Sequence, residues 1–346
     1  MRITSTLDAS VHRRLLAIAA AVALGAAACT GSGASTAPSD TASQAASSSG
    51  TSAPGGTCQT APAPAADLPG WPAPGTVPST SVFPVIVSSE QICGKNRFLF
   101  SFLDKANTPQ AAPDRTATVA FFDLGRDPSK AVASATGTFL WAIQGSRGLY
   151  VANVEFTEAG QWGAEFTTAK AGGAPETVRV RFDVKPSGAP VPVGGKAPSV
   201  RTPTLADVGG DVAKISSDPK PRSAFYETSV DAALAAHKPF VLIFATPAFC
   251  TSGQCGPTLD IIKGVADAEP TMTFINVEPY KLTFANGHLQ PVLDSGGNLQ
   301  PVDATNAYGL LSEPWIFVVD RNGIVTASYE AIVGADELKA AVDAVK

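Results

Sequence analysis

Two cysteines stand five positions apart in "FATPAFCTSGQCGPTLD", residues 244–260. A cysteine pair at short range supports three chemistries. It can exchange electrons with a partner as dithiol and disulfide. It can ligate a soft metal ion through its thiolates. It can also serve only as a covalent staple. Geometry narrows where the pair sits. Five residues along a regular helix advance about 7.5 Å and rotate about 140° off the starting face, whereas bonded cysteines usually hold their Cα atoms about 4.4–6.8 Å apart. Cys250 and Cys255 therefore cannot bond from within one regular helix. Cys250 belongs to a loop that returns to Cys255, and Gly253 eases that turn.

The elements around the pair are those of an α/β domain over 225–346. "PFVLIF" is a continuously apolar strand, as expected when both faces of a sheet are covered. "PTLDIIKGVADA" is a helix whose first turn accommodates Pro257, with Leu259, Ile262 and Ala266 on one face. "MTFINV" is a second strand and "DATNAYGLL" a short helix closing at Gly309. "WIFVVD" and "IVTASYE" form a hairpin about Asn322-Gly323. A helix from Thr228-Ser229 to His237 precedes the first strand, and "ADELKAAVDAVK" closes the chain. The 279–301 stretch reads as a long loop, of the kind that often carries function.

This order resembles the thioredoxin-like fold over about 120 residues. Phe249 stands before Cys250 where that family has an aromatic residue. "AYGLLSEPW" is similar to the family's run that ends in proline, and "FVVDRNGIV" to its terminal hairpin. The resemblance implies a thiol–disulfide oxidoreductase with no cofactor, acting on protein thiols and disulfides. It implies that Pro314 is a cis-proline facing the sulfurs. Two registers stay open. In one, Cys250 is the nucleophile and Cys255 resolves. In the other, "CGPT" places Cys255 in the nucleophile's position at a helix N-terminus, which stabilises a thiolate. The chain departs from the family in its wider spacing and in lacking a carboxylate in "FVLIFATP". A proton acceptor for the second thiol is then missing unless Glu313 serves. Beside the sulfurs it would raise thiol pKa values by charge repulsion or act as a general base; as a solvent-facing residue it would do neither. The alternatives are a binding or scaffold lipoprotein with a structural disulfide and, third, a copper-handling protein using His288.

Residues 78–186 carry β patterns. "VRVRFDVK" alternates Val178, Val180, Phe182 and Val184 with charged residues, the signature of a strand with one buried face. "NRFLFSFLD", "TATVAFFDL" and "GLYVANVEFTEAGQWGAEFTT" add further strands. A β-sandwich is expected, its core including Trp141, Tyr150 and Trp162. Gly148, Tyr150, Gly160 and Trp162 resemble a recurring pattern of bacterial immunoglobulin-like modules. Residues 187–224, rich in Pro, Gly and Ser, read as a linker with a short strand at 213–216.

The first 28 residues place Arg13-Arg14 before a short apolar run, as in a signal peptide. "AAAC" resembles a bacterial lipobox, making Cys29 the lipidation site and the cell membrane the anchor. Residues 29–77 are a flexible, low-complexity tether. Export implies an oxidising compartment. With Cys29 lipidated and Cys250 paired with Cys255, Cys58 and Cys93 are left as a structural disulfide. A net charge of −5 leaves no basic footprint for nucleic acid.

Overall fold

The computed structural model describes residues 58–73, 76 and 79–346. The expected signal peptide, the expected lipidation at Cys29 and the expected tether before Cys58 lie outside them. Nine strands build the N-terminal part: β1 (Val82–Ile86), β2 (Gln91–Ile92), β3 (Gly94–Asp104), β4 (Arg115–Asp123), β5 (Ala133–Thr136), β6 (Thr138–Ile143), β7 (Arg147–Phe156), β8 (Gly160–Lys170) and β9 (Glu176–Lys185). They form two sheets, ordered β1-β3-β7-β6 and β2-β9-β8-β4-β5. Alternation decides what is buried. Phe98, Phe100 and Phe102 share one face of β3 and are fully buried, packed with Phe121, Trp162 and Phe166 of the other sheet. Aromatic rings meet edge-on across this core, Phe98 on Phe121 at 5.1 Å between centroids, a geometry favoured by their quadrupoles. Tyr150 and Trp162 are core residues as expected. Trp141, on the edge strand β6, is only half-buried.

The flexible tether expected through residue 77 does not extend over 58–73. Cys58 is bonded to Cys93, with Cα atoms 6.1 Å apart. Thr60 bridges Ala159, and Ala61, Leu68 and Trp71 are buried. Trp71 covers Gly163, where a Cβ would lie 2.3 Å from the indole ring. Its own ring is covered by Arg179, 4.8 Å from its centroid. Composition pointed to a tether because these few anchors are diluted among Pro and Ala.

The 187–224 segment is likewise packed rather than free. It contains three short 3-10 turns, Leu205–Val208, Val212–Lys214 and Ser223–Tyr226. The second replaces the strand expected at 213–216. Thr202, Thr204, Ser216 and Asp218 are buried, and Lys196 bridges Ile324.

The C-terminal part then runs α1 (Val230–Ala235), β10 (Phe240–Phe244), α2 (Cys255–Ala268), β11 (Thr273–Val277), β12 (Leu282–Ala285), β13 (His288–Pro291), α3 (Asp303–Ala307), β14 (Trp315–Val319), β15 (Val325–Glu330) and α4 (Ala335–Asp343). Four strands form a mixed sheet, β11-β10-β14-β15. β10 and β11 are parallel, and the other two pairs antiparallel. All five residues of β10 are buried. Val241 and Ile243 join the core under α2 and α4; Phe240, Leu242 and Phe244 join the core under α1 and α3. That two-sided burial is why the strand is apolar without alternation. The expected loop at 279–301 instead contains the β12–β13 hairpin, turned by Asn286 and Gly287, both at positive φ.

The two parts meet at the chain after β15. Ile332 packs with Ala142 and Leu149, and Ala331 with Leu99 and Val151. Arg97 of β3 makes a two-pronged ion pair with Glu337 of α4, at 2.8 and 2.9 Å. Among the described residues, no helix is long and apolar enough to cross a membrane.

Candidate functional site

β10 ends under the loop that carries Cys250, and α2 starts at Cys255. The two cysteines are bonded, with Cα atoms 6.0 Å apart. Gly253 sits at φ +72° in the returning turn, as the spacing requires. The sulfurs are not equivalent. Cys255 is fully buried among Ala245, Leu259 and Ile262, while Cys250 is only partly buried. The Cys255 backbone N–H, at the first position of α2, donates to Cys250 Sγ at 3.2 Å. The positive end of the helix thus faces the more exposed sulfur.

The peptide between Glu313 and Pro314 is cis. Glu313 does not face solvent; it is 6% exposed. Its Oε1 accepts from the Thr251 N–H and hydroxyl, each at 3.1 Å. Its Oε2 accepts from the Tyr280 hydroxyl at 2.5 Å. A Glu313 carboxylate oxygen and the two sulfurs lie within 4.8 Å of one another. Burial, and then the Glu313 hydrogen bond and charge, hold the Tyr280 phenol well above its ordinary range, so it remains a donor. The Ser252 hydroxyl lies 3.3 Å from Cys250 Sγ and 3.3 Å from the Glu313 carbonyl oxygen, to which it donates.

The structure thus brings Cys250, Cys255 and Glu313 together beside Pro314. His288 is not in this group. It is exposed on β13, its ring nitrogens against the Asn286 carbonyl and the Gln290 amide. Trp315 is buried in the α1/α3 core, and its Nε1 donates to Ser328. From the N-terminal part, Arg147 Nη1 donates to the Ser252 carbonyl at 2.7 Å, so the cysteine loop is held from both sides.

Sequence reasoning missed Tyr280 and Glu278. β10 carries no carboxylate, but Glu278, directly after β11, is buried. Its Oε1 accepts from the Ser217 N–H at 2.6 Å, and burial, aided by the charge of Asp218, pushes its carboxyl above the usual range. A charged residue ending an apolar strand looks like the first residue of a loop. The signal for its burial lies in Ser217, 61 positions away.

No protein-family model matches the chain, and no curated protein sequence does. Among solved structures, CopC from Methylosinus trichosporium OB3b matches at 12% identity, with 28% of this chain and 82% of that one covered and a TM-score of 0.19. A likeness at that score bears on neither fold nor function.

Proposed function

We propose that the chain is an exported, membrane-tethered thiol–disulfide oxidoreductase. In this reading residues 225–346 are a thioredoxin-like domain, and the N-terminal sheets an immunoglobulin-like sandwich. The observation that carries it is the asymmetry of the bond: a partly buried Cys250 joined to a fully buried Cys255 at the start of α2. Such a pair has one sulfur for a partner to reach and one to resolve. The parallel pair β10–β11 and the antiparallel β14–β15 hairpin, with helices on both faces, support the fold assignment.

In the reduced protein Cys250 is the nucleophile, its thiolate favoured by the Cys255 N–H. It attacks a partner disulfide, forming a mixed disulfide and releasing one partner thiolate. Glu313 takes the Cys255 proton. The Cys255 sulfur then attacks Cys250 Sγ, which closes the internal disulfide and releases the second partner sulfur. Two electrons pass to the partner, and two protons complete its thiols. Run in reverse, the same steps oxidise a dithiol.

A scaffold reading with a structural Cys250–Cys255 bond has one observation in its favour. The buried Glu313 places a carboxylate beside the sulfurs, which opposes thiolate formation. The reduction potential separates the two. Equilibration with glutathione and mass spectrometry should give about −120 to −270 mV for the pair. A value below about −300 mV is that of a structural disulfide and would overturn the exchange chemistry.

A further inference from the structure

The three groups that meet at the cysteine loop become a ligand set once the sulfurs are reduced. Cys250 Sγ, Cys255 Sγ and a Glu313 carboxylate oxygen lie within 4.8 Å of one another. A tetrahedral zinc ion with Zn–S of about 2.3 Å and Zn–O of about 2.1 Å holds its ligand atoms about 3.6–3.8 Å apart. Reduction frees the sulfurs to open to that spacing, because Cys250 stands in the loop before α2 and is only partly buried. The ion takes the place of the bond, so no cavity has to be ready for it, and the Cys250 side of the loop is the way in.

Glu313 supplies a second, independent observation. A carboxylate that is 6% exposed ordinarily faces a cation, yet among the described residues Glu313 is in no ion pair. Neutral donors alone hold it, the Thr251 N–H and hydroxyl and the Tyr280 hydroxyl. These three bonds leave the carboxylate capacity for one more partner, and they fix its orientation as outer partners do for a metal ligand. Two thiolates beside it would give the group three negative charges. The charged side chains bonded to the flanking residues do not cancel them. Exposed Arg147 reaches only the Ser252 carbonyl, and Glu330, another anion, takes the Ser312 hydroxyl. Ligand chemistry then selects the ion. Calcium and magnesium take oxygen ligands, and copper(I) favours thiolates over a carboxylate. Two thiolates with one carboxylate suit zinc, with a water in the fourth position. We propose that the reduced protein binds one Zn²⁺ through Cys250 Sγ, Cys255 Sγ and Glu313. His288, exposed on β13, has no part in it. While the ion is held, neither sulfur is free to attack a disulfide.

The test takes the full chain, reduced with a phosphine under nitrogen and titrated with Zn²⁺. Competition with a chromophoric chelator reads affinity, and iodoacetamide labelling with mass spectrometry reads which sulfur is covered. One equivalent of Zn²⁺ should slow labelling of Cys250 at least tenfold and leave Cys29, Cys58 and Cys93 as they were; excess chelator should restore it. Co²⁺ in its place should give thiolate-to-metal charge-transfer absorption. Glu313→Gln should weaken Zn²⁺ at least tenfold, Cys250→Ser/Cys255→Ser should lose the site, and His288→Ala should keep it, with circular dichroism confirming that each is folded. Cys250 labelling unchanged by micromolar Zn²⁺, parental affinity in Glu313→Gln, or weakened binding in His288→Ala would each overturn the assignment. The labelling needs only the parent protein, so a variant that fails to fold does not blunt it. The site requires a pair that can be reduced, not one that exchanges with a partner. A reduction potential in the structural range would therefore overturn the exchange chemistry and leave this test standing.

Discussion

Glu313 is pulled in two directions by its own position. As an anion within 4.8 Å of both sulfurs, it opposes a Cys250 thiolate; as the nearest carboxylate, it can take the Cys255 proton. The two roles separate in one variant. Glu313→Gln should raise the rate at which reduced Cys250 is alkylated by iodoacetamide at neutral pH, because a repelling charge is gone. It should slow resolution of a preformed mixed disulfide by about 10²-fold, the loss typical of a removed general base. A slower alkylation and an unchanged resolution would remove both roles. Glu278 gives a pH-dependent prediction. Its carboxyl is raised in the folded state by burial, so its contribution to stability is present at low pH and is lost as pH rises through the folded-state value. Glu278→Gln cannot titrate. Its melting temperature relative to the parent should therefore climb between pH 4 and pH 8, and a flat difference would contradict the buried charge. At this scale the cysteine loop was legible in the sequence, because helix geometry forbids the alternative. The burial of Glu313 was not, since its partners Thr251 and Tyr280 lie 62 and 33 positions away.

Elements were legible where a local rule acts alone. β10 is apolar on every residue, and its burial is complete on both faces. The helix ending at Gly309 is another case. Gly309 sits at φ +66°, and a Cβ there would lie 2.0 Å from the Ala189 carbonyl oxygen. Gly309→Ala should destabilise the protein by about 2 kcal/mol or more, through the left-handed backbone and the clash together. Denaturant melts read this directly, and a neutral result would mean that the 189–190 segment yields freely. The β12–β13 hairpin was legible in principle. "FANGHL" contains the Asn-Gly turn signal, but weak alternation around it and flanking prolines hid the strands. The packed course of 187–224 was not legible, because its order comes from contacts such as Lys196 on Ile324, made 128 positions apart in sequence.

For the whole molecule the two disulfides differ in what they constrain. Cys58 and Cys93 are 35 positions apart, and Cys250 and Cys255 are 5 apart. Chain-entropy reasoning gives about 4 kcal/mol for closing the longer loop and about 2 kcal/mol for the shorter. A Cys58→Ser/Cys93→Ser variant should therefore lose more stability than Cys250→Ser/Cys255→Ser in denaturant unfolding. The reverse order would make the shorter bond the principal staple. The longer bond also ties down 58–73, whose anchoring Trp71 composition did not reveal, and Arg97–Glu337 joins the sheets to α4 across 240 positions.

Tyr280 lines a cavity of about 340 Å³ at the end of β11 and also donates to Glu313. One phenol therefore joins the wall of a cavity to the carboxylate beside the two bonded sulfurs. A molecule that displaced this phenol would leave one Glu313 carboxylate oxygen without its donor.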